Sequence, residues 1–220
     1  MATYASVGGR RSRAGLPAVT PERVVRAALA LTREHGLENW TLRQLAAGIG
    51  AYPAVIYHHV GDREAVVSAV LERVVAELPV PESDRPWRDW FEDLLTGWRP
   101  VLLTYPGVAR RLAVHGALVP AMHTVIDCAV GVLRRAGLGD ESVLACTLLL
   151  NQAWQSIAVE DDRGPGIRER AAELHASLRD RPDVPGLAAL GRFLDENPDV
   201  DLFGYGLART LDGVAARLES

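Results

Sequence analysis

A chain of 220 residues with 48% hydrophobic and 24% charged residues has the size and balance of one globular domain, or of a small domain fused to a larger one. That composition can bury a sizeable core, which excludes an intrinsically disordered chain. The formal net charge is −4, but residues 1–64 carry eight arginines against five acids (about +3) and the remaining 156 carry sixteen against twenty-three (about −7); only the first third is suited to meet a polyanion.

In chain order the helix signals dominate. Residues 1–19 lack periodicity and read as a disordered basic arm; Arg10, Arg11 and Arg13 fit either a minor-groove contact or a plain tail. Thr20-Pro21 is an N-cap followed by proline at the first helical position, and the stripe from Val24 through Ala28 and Leu31 ends at His35-Gly36. Thr41 with Gln44 is a capping box opening a second helix, which Gly48-Ile49-Gly50 stops. A short helix from about Tyr52 to His59 follows, with Pro53 tolerated in its first turn. Asp62 caps a helix expected to reach Leu78, and the prolines at 79, 81 and 86 form a linker. Beyond them Trp87, Phe91, Leu94, Leu95 and Trp98 make a helical stripe, with further helices expected near 107–116, 120–136, 140–161, 167–180 and 204–218. No alternating run with a hairpin dipeptide is present, so the fold class is all-α. The apolar run Val108–Leu133 is broken by Arg110, Arg111, His115, His123 and Asp127 and is not read as a membrane span. Cys128 and Cys146 sit in no paired motif and read as buried structural thiols in a reducing compartment; no apolar leader is seen, so a cytoplasmic location is expected.

The second and third helices, joined by a glycine-containing turn, have the layout of a helix-turn-helix that places its second helix in the DNA major groove. At 100° per residue Ile56 and Val60 face inward, while Ala54, Tyr57 and His58 face outward and Tyr52 and Pro53 stand at the exposed N-terminal end. Alanine, valine and proline can meet thymine methyls, and tyrosine and histidine can donate to base edges or phosphates. His58 and His59 are adjacent and point about 100° apart, so they cannot chelate one metal from one helix face; no metal and no cofactor is expected. Packing of Tyr57 against the first helix is the competing reading of that side chain.

The segment from Thr20 to about Leu78 resembles the DNA-binding domain of the tetracycline-repressor (TetR) family. The matching pieces are "PERVVRAALALTREHGLENWTLRQLAAGIG", Ile56-Tyr57-His58-His59-Val60 and Asp62-Arg63-Glu64, and "LFGYGLARTLDGVAARL" is similar to the last helix of many members. The resemblance implies phosphate contacts from Thr41 and Arg43, phosphate or groove contacts from Tyr57 and His59, a phosphate grip from Arg63, and base reading by Pro53, Ala54 and His58. Tyr52-Pro53-Ala54-Val55 departs from the family, where small polar residues or lysine are commoner, which implies fewer hydrogen bonds to bases and more shape or methyl contact. The expected organisation is an arm over 1–19, a helix-turn-helix domain over 20–66 whose connecting helix runs to about 78, and a body over 79–220.

The body is rich in aromatic residues with embedded polar groups, the composition of an apolar ligand cavity with a few polar anchors. Candidate lining residues are Trp90, Trp98, Tyr105, His115, His123, Asn151, Trp154 and Gln155, although for most of these aromatics taken one by one an ordinary core place is the preferred reading. The resemblance implies a small-molecule effector there and a homodimer through the helices near 140–161 and 204–218. No glycine-rich phosphate loop, nucleophile elbow or paired-carboxylate motif is present, so the chain is read as not an enzyme. Glu160-Asp161-Asp162 reads as a solvated helix end rather than a cation site, and His115, His123 and His175 are scattered. The reading is a ligand-responsive regulator, released as a repressor from a palindromic double-stranded operator. The alternative is a helical ligand-binding protein whose helix-turn-helix no longer reads DNA.

Overall fold

The computed structural model describes residues 19–162, 165–178, 181 and 183–218; apart from Val19, the expected arm lies outside the described residues. Capping chemistry sets the first four helices. In α1 (Pro21–His35) the Thr20 hydroxyl accepts from the Arg23 N–H, and Gly36, at φ +84°, ends the helix while donating to the Thr32 carbonyl. In α2 (Leu42–Gly48) both arms of the Thr41/Gln44 capping box form. The turn after it leads to α3 (Pro53–His59), and Asp62 Oδ1 accepts from the Ala65 N–H at 2.9 Å to open α4 (Arg63–Val75). That helix ends earlier than expected, residues 76–78 closing as a turn that still buries Leu78. A seven-residue helix is not stable alone. Ile56, fully buried, and Val60, packed on the core, fasten α3 to the domain; a side chain buried like Ile56 contributes about 1.5–3 kcal/mol.

Among the described residues of this domain Thr32 is the fully buried polar residue, and it is satisfied. Thr32 Oγ1 donates to the Ala28 carbonyl at 2.8 Å and accepts from Trp40 Nε1 at 3.0 Å, so the indole that fills the centre strands no donor. Val24, Ala28 and Leu29 of α1 pack with Val66, Val67 and Val70 of α4 around it.

The proline linker is fixed by the next helix. In α5 (Trp87–Leu103) Trp90 Nε1 donates to the Pro81 carbonyl at 3.1 Å and Trp98 Nε1 to the Pro79 carbonyl at 2.9 Å. The remaining helices are α6 (Val108–His115), α7 (Pro120–Ala136), α8 (Ser142–Asp162), α9 (Pro165–Leu178), α10 (Pro185–Glu196) and α11 (Leu202–Leu218). Helix α8 runs through the body and packs against α5, α6, α7 and α11. Its composition would let it cross a membrane by length alone, but 44% of its most apolar window is buried inside the body. Helix α10 was not anticipated. It pairs with α9 and buries only Ala188 and Gly191, leaving Leu187, Leu190 and Phe193 exposed. Among the described residues no strand occurs.

Candidate functional site

The outer face of α3 is the most unusual surface of the N-terminal domain. Tyr52 is 71% and Tyr57 56% exposed, Ala54, His58 and His59 are exposed, and Pro53 and Val55 are half-buried over the inward Ile56. Two tyrosines held in water by a helix anchored from below suit a partner surface. The histidine rings meet edge-on, centroids 5.3 Å apart, and among the described residues no three His, Cys, Asp or Glu are grouped to hold a metal ion. Thr41 stays exposed while its hydroxyl serves the capping box, and Arg43 stands exposed beside it.

Arg63 is placed differently from its sequence reading. One guanidinium nitrogen donates to the Leu37 carbonyl at 2.9 Å and to Glu38 at 3.2 Å, another reaches the Trp40 carbonyl at 3.4 Å, and the group lies 5.0 Å over the Trp40 ring. The third nitrogen lies 3.7 Å from Glu64. The carbonyls that follow α1 have no helical partner, and a forked donor on an aromatic face satisfies them better than water does. Arg63 is therefore a strut across the domain, with its side chain still part-exposed.

The eight proposed cavity residues do not converge on one cavity. Trp90 and Trp98 are core residues whose donors hold the linker, as above. Tyr105 is buried at the junction with the N-terminal domain: its hydroxyl donates to Glu77 at 3.0 Å and accepts from Arg33 at 2.5 Å. Burial, then Glu77, pushes that hydroxyl's pKa up. His115 and Asn151 are half-buried and His123 is exposed. Trp154 lies nearly parallel to Trp98, 12° between rings with centroids 6.4 Å apart, and its buried Nε1 has no hydrogen-bond partner. Only Gln155 lines the cleft of about 570 Å³ that opens beside the C-terminal half of α8. The others there that matter chemically are Arg99, Gln152, Ser156, Glu160 and Phe203. Their signal was in the sequence: Gln152, Gln155, Ser156 and Val159 recur at helical spacing on one face of α8.

In Glu160-Asp161-Asp162 each carboxylate is engaged, Glu160 and Asp161 half-buried and Asp162 exposed. Glu160 makes a two-point bond to Arg99 at 2.9 and 3.0 Å, Asp161 accepts from the Gly107 N–H at 3.1 Å, and Asp162 pairs with Arg110. Burial raises the Asp161 carboxyl to about 6 against the pull of the Gly107 N–H. Cys146 is buried, its thiol pushed up to about 11 by desolvation, and Cys128 is half-buried.

Residues 24–70 match the family model described as bacterial regulatory proteins, tetR family, and residues 79–218 match that of the tetracyclin repressor-like C-terminal domain. The chain belongs to the TetR family. It is 30% identical over 201 residues to the tetracycline repressor protein class A from transposon 1721 of Escherichia coli, covering 90% of this chain and 91% of that one. It is 27% identical to the HTH-type transcriptional repressor DrrR1 of Streptomyces coeruleorubidus, over 94% of this chain and 81% of the relative. The TetR family protein ActR of Streptomyces coelicolor, crystallised with actinorhodin, superposes with a TM-score of 0.78 at 26% identity, over 93% of this chain and 100% of the other. This TetR-family chain is a ligand-responsive, DNA-binding transcriptional regulator. Its relatives are regulators rather than enzymes, and members of the family bind DNA operators and small molecules and form dimers.

Proposed function

We propose that the chain is a cytoplasmic homodimeric repressor, held on a palindromic operator by α2 and α3 and released when a fused-ring, oxygen-bearing molecule enters the α8 cleft. The observation that carries the DNA half is the outer face of α3, Tyr52, Ala54, Tyr57 and His58 standing in water above the buried Ile56. Tyr57, His59, Thr41 and Arg43 contact phosphate and set the register; Pro53, Ala54 and His58 meet base edges and methyl groups. Symmetry supplies what one short helix lacks, since a twofold dimer doubles the contacts on a palindrome. The dimer forms through α8 and α11, whose Leu144, Leu148 and Tyr205 are exposed.

The effector class is inferred from relatives, one named for tetracycline and one crystallised with actinorhodin. The cleft of about 570 Å³ falls within the volume of ordinary ligand sites, roughly 300–1,000 Å³. It offers such a molecule the Phe203 ring, the amides of Gln152 and Gln155 and the Ser156 hydroxyl. A ligand that prefers the body with its two reading helices wrongly spaced weakens DNA binding by its differential affinity for the two states.

The test is fluorescence anisotropy with duplex DNA from upstream of the gene, over a salt series, with and without tetracycline and a hydroxylated anthraquinone as probes. Specific binding that weakens with salt and is reversed by a probe supports the reading. Ligand binding without specific DNA binding would instead favour a helical binding protein, a reading kept in view by the nearly apolar Tyr52-Pro53-Ala54-Val55 edge.

A further inference from the structure

One peptide group joins the end of α8 to the reading domain. The Pro106 carbonyl accepts from the Leu37 N–H at 2.8 Å, and the N–H on the other side of the same peptide bond, that of Gly107, donates to Asp161 Oδ2 at 3.1 Å. The bond is trans, so carbonyl and N–H point in opposite directions from one rigid plane. Asp161 thus pulls on one end of a unit whose other end holds the α1–α2 turn. Hydrogen bonds chained through a peptide also polarise one another, so the outer two are not independent.

The surroundings give this unit little freedom. Gly36 and Gly107 both have positive φ, +84° and +87°, and a Cβ on Gly107 would come within 3.3 Å of Leu37 Cβ. The two turns therefore touch backbone to backbone. Leu37 is fully buried, and its own carbonyl is held by Arg63 of α4. The first turns of α6 repeat the two-sided arrangement: Arg110 pairs with Asp162 of α8, whereas Arg111 pairs with Glu64 and lies 3.8 Å from Glu38 in the reading domain. On the α8 side, Asp161 directly follows Glu160, which lines the cleft and is tied to Arg99.

We infer that Asp161 is a positioning residue that transmits the state of the α8 cleft to the reading domain through the Pro106–Gly107 peptide. The inference deepens the effector reading of that cleft and rests on it, but its mechanical core is testable without ligand. A shift of the last turn of α8 moves Asp161, tilts the peptide plane and loosens Leu37. Since Leu37 lies between α1 and α2, the orientation of the α2–α3 pair is what changes.

The experiment is residue-resolved amide hydrogen exchange on the full-length protein, comparing wild type, Asp161→Ala and Asp161→Asn. Asp161→Ala removes the acceptor; Asp161→Asn keeps a carbonyl oxygen that can accept from Gly107. With Asp161→Ala, exchange rises at Gly107 and also at Leu37, which Asp161 does not touch, by roughly five- to tenfold, the equilibrium effect of one net hydrogen bond. Asp161→Asn restores both. In anisotropy titrations the operator affinity of Asp161→Ala falls by a similar factor. Faster exchange at Gly107 with Leu37 unchanged overturns the inference, and so does a uniform rise across all helices, which marks plain destabilisation. Failure of the wild type to bind operator would count against the regulator reading alone, because the Leu37 result stands whether or not DNA is bound.

Discussion

Arg63 and Tyr57 both lie in the stretch expected to touch DNA, yet their surroundings assign them opposite sensitivities. Arg63 holds two carbonyls and an aromatic face, so Arg63→Ala leaves part-buried acceptors without a donor and should lower unfolding stability by about 1–3 kcal/mol. Arg63→Lys should recover little of this, because an ammonium cannot span the carbonyls as a fork does; chemical denaturation measures both. Tyr57 is more than half exposed. Tyr57→Ala should leave the denaturation midpoint unchanged and weaken operator binding by about 1–3 kcal/mol, whereas a fall in stability would mean that the ring packs instead of reading. Asp161 supplies the pH dependence. Its folded carboxyl titrates near 6 against an ordinary 3.8, so the folded chain holds that proton more tightly than the unfolded one. Stability from this group is complete below about pH 4 and declines as pH rises through about 6. Asp161→Asn should match wild type near pH 4 and melt higher than wild type at pH 7 in a thermal series. Equal gaps at the two pH values would refute the burial argument.

Helices whose ends are written in cap chemistry were legible: Thr20-Pro21, Thr41 with Gln44, and Asp62 each open a helix where expected. Helix α10 was not, because Pro185-Gly186 resembles a turn and its apolar residues face outward, so no core stripe marks it. The reading face was legible for a geometric reason: inward Ile56 and outward Tyr57 and His58 follow from 100° per residue. The core reading held for Trp90 and Trp98, but composition does not say where an indole N–H goes; theirs donate to the linker carbonyls. The turn that follows α6 packs on α8 and shows the same limit. A Cβ on Gly116 would lie 2.7 Å from the Trp154 ring, a contact invisible in sequence. Gly116→Ala should force the indole away from Trp98, cost about 1–3 kcal/mol of stability and change the near-ultraviolet circular dichroism of the tryptophans. An unchanged spectrum with unchanged stability would show that Trp154 moves freely.

Two features of the whole molecule meet in the proposed dimer. The excess positive charge of the first third comes from Arg10, Arg11 and Arg13 of the arm, residues 20–66 are balanced at five arginines against five acids, and the body is negative, so attraction to DNA belongs to the N-terminal part of each protomer. On α8, Leu144 is 72% and Leu148 56% exposed, and on α11 Tyr205 is 66% exposed, although α8 is otherwise a core helix. Glutamate at both leucines would bury two carboxylates per protomer in an apolar contact, at a cost of several kcal/mol per unpaired charge. The double variant Leu144→Glu/Leu148→Glu should therefore sediment as a monomer while keeping the helical content and melting profile of its N-terminal domain. Operator affinity should then fall by roughly a hundredfold or more, since the second half-site loses its high effective concentration. Specific binding to an isolated half-site should survive at the monomer's weak level, with a shallower dependence on salt because fewer phosphates are contacted. A variant that stays dimeric would place the interface elsewhere, and a monomer with undiminished operator affinity would remove the reason for a palindrome.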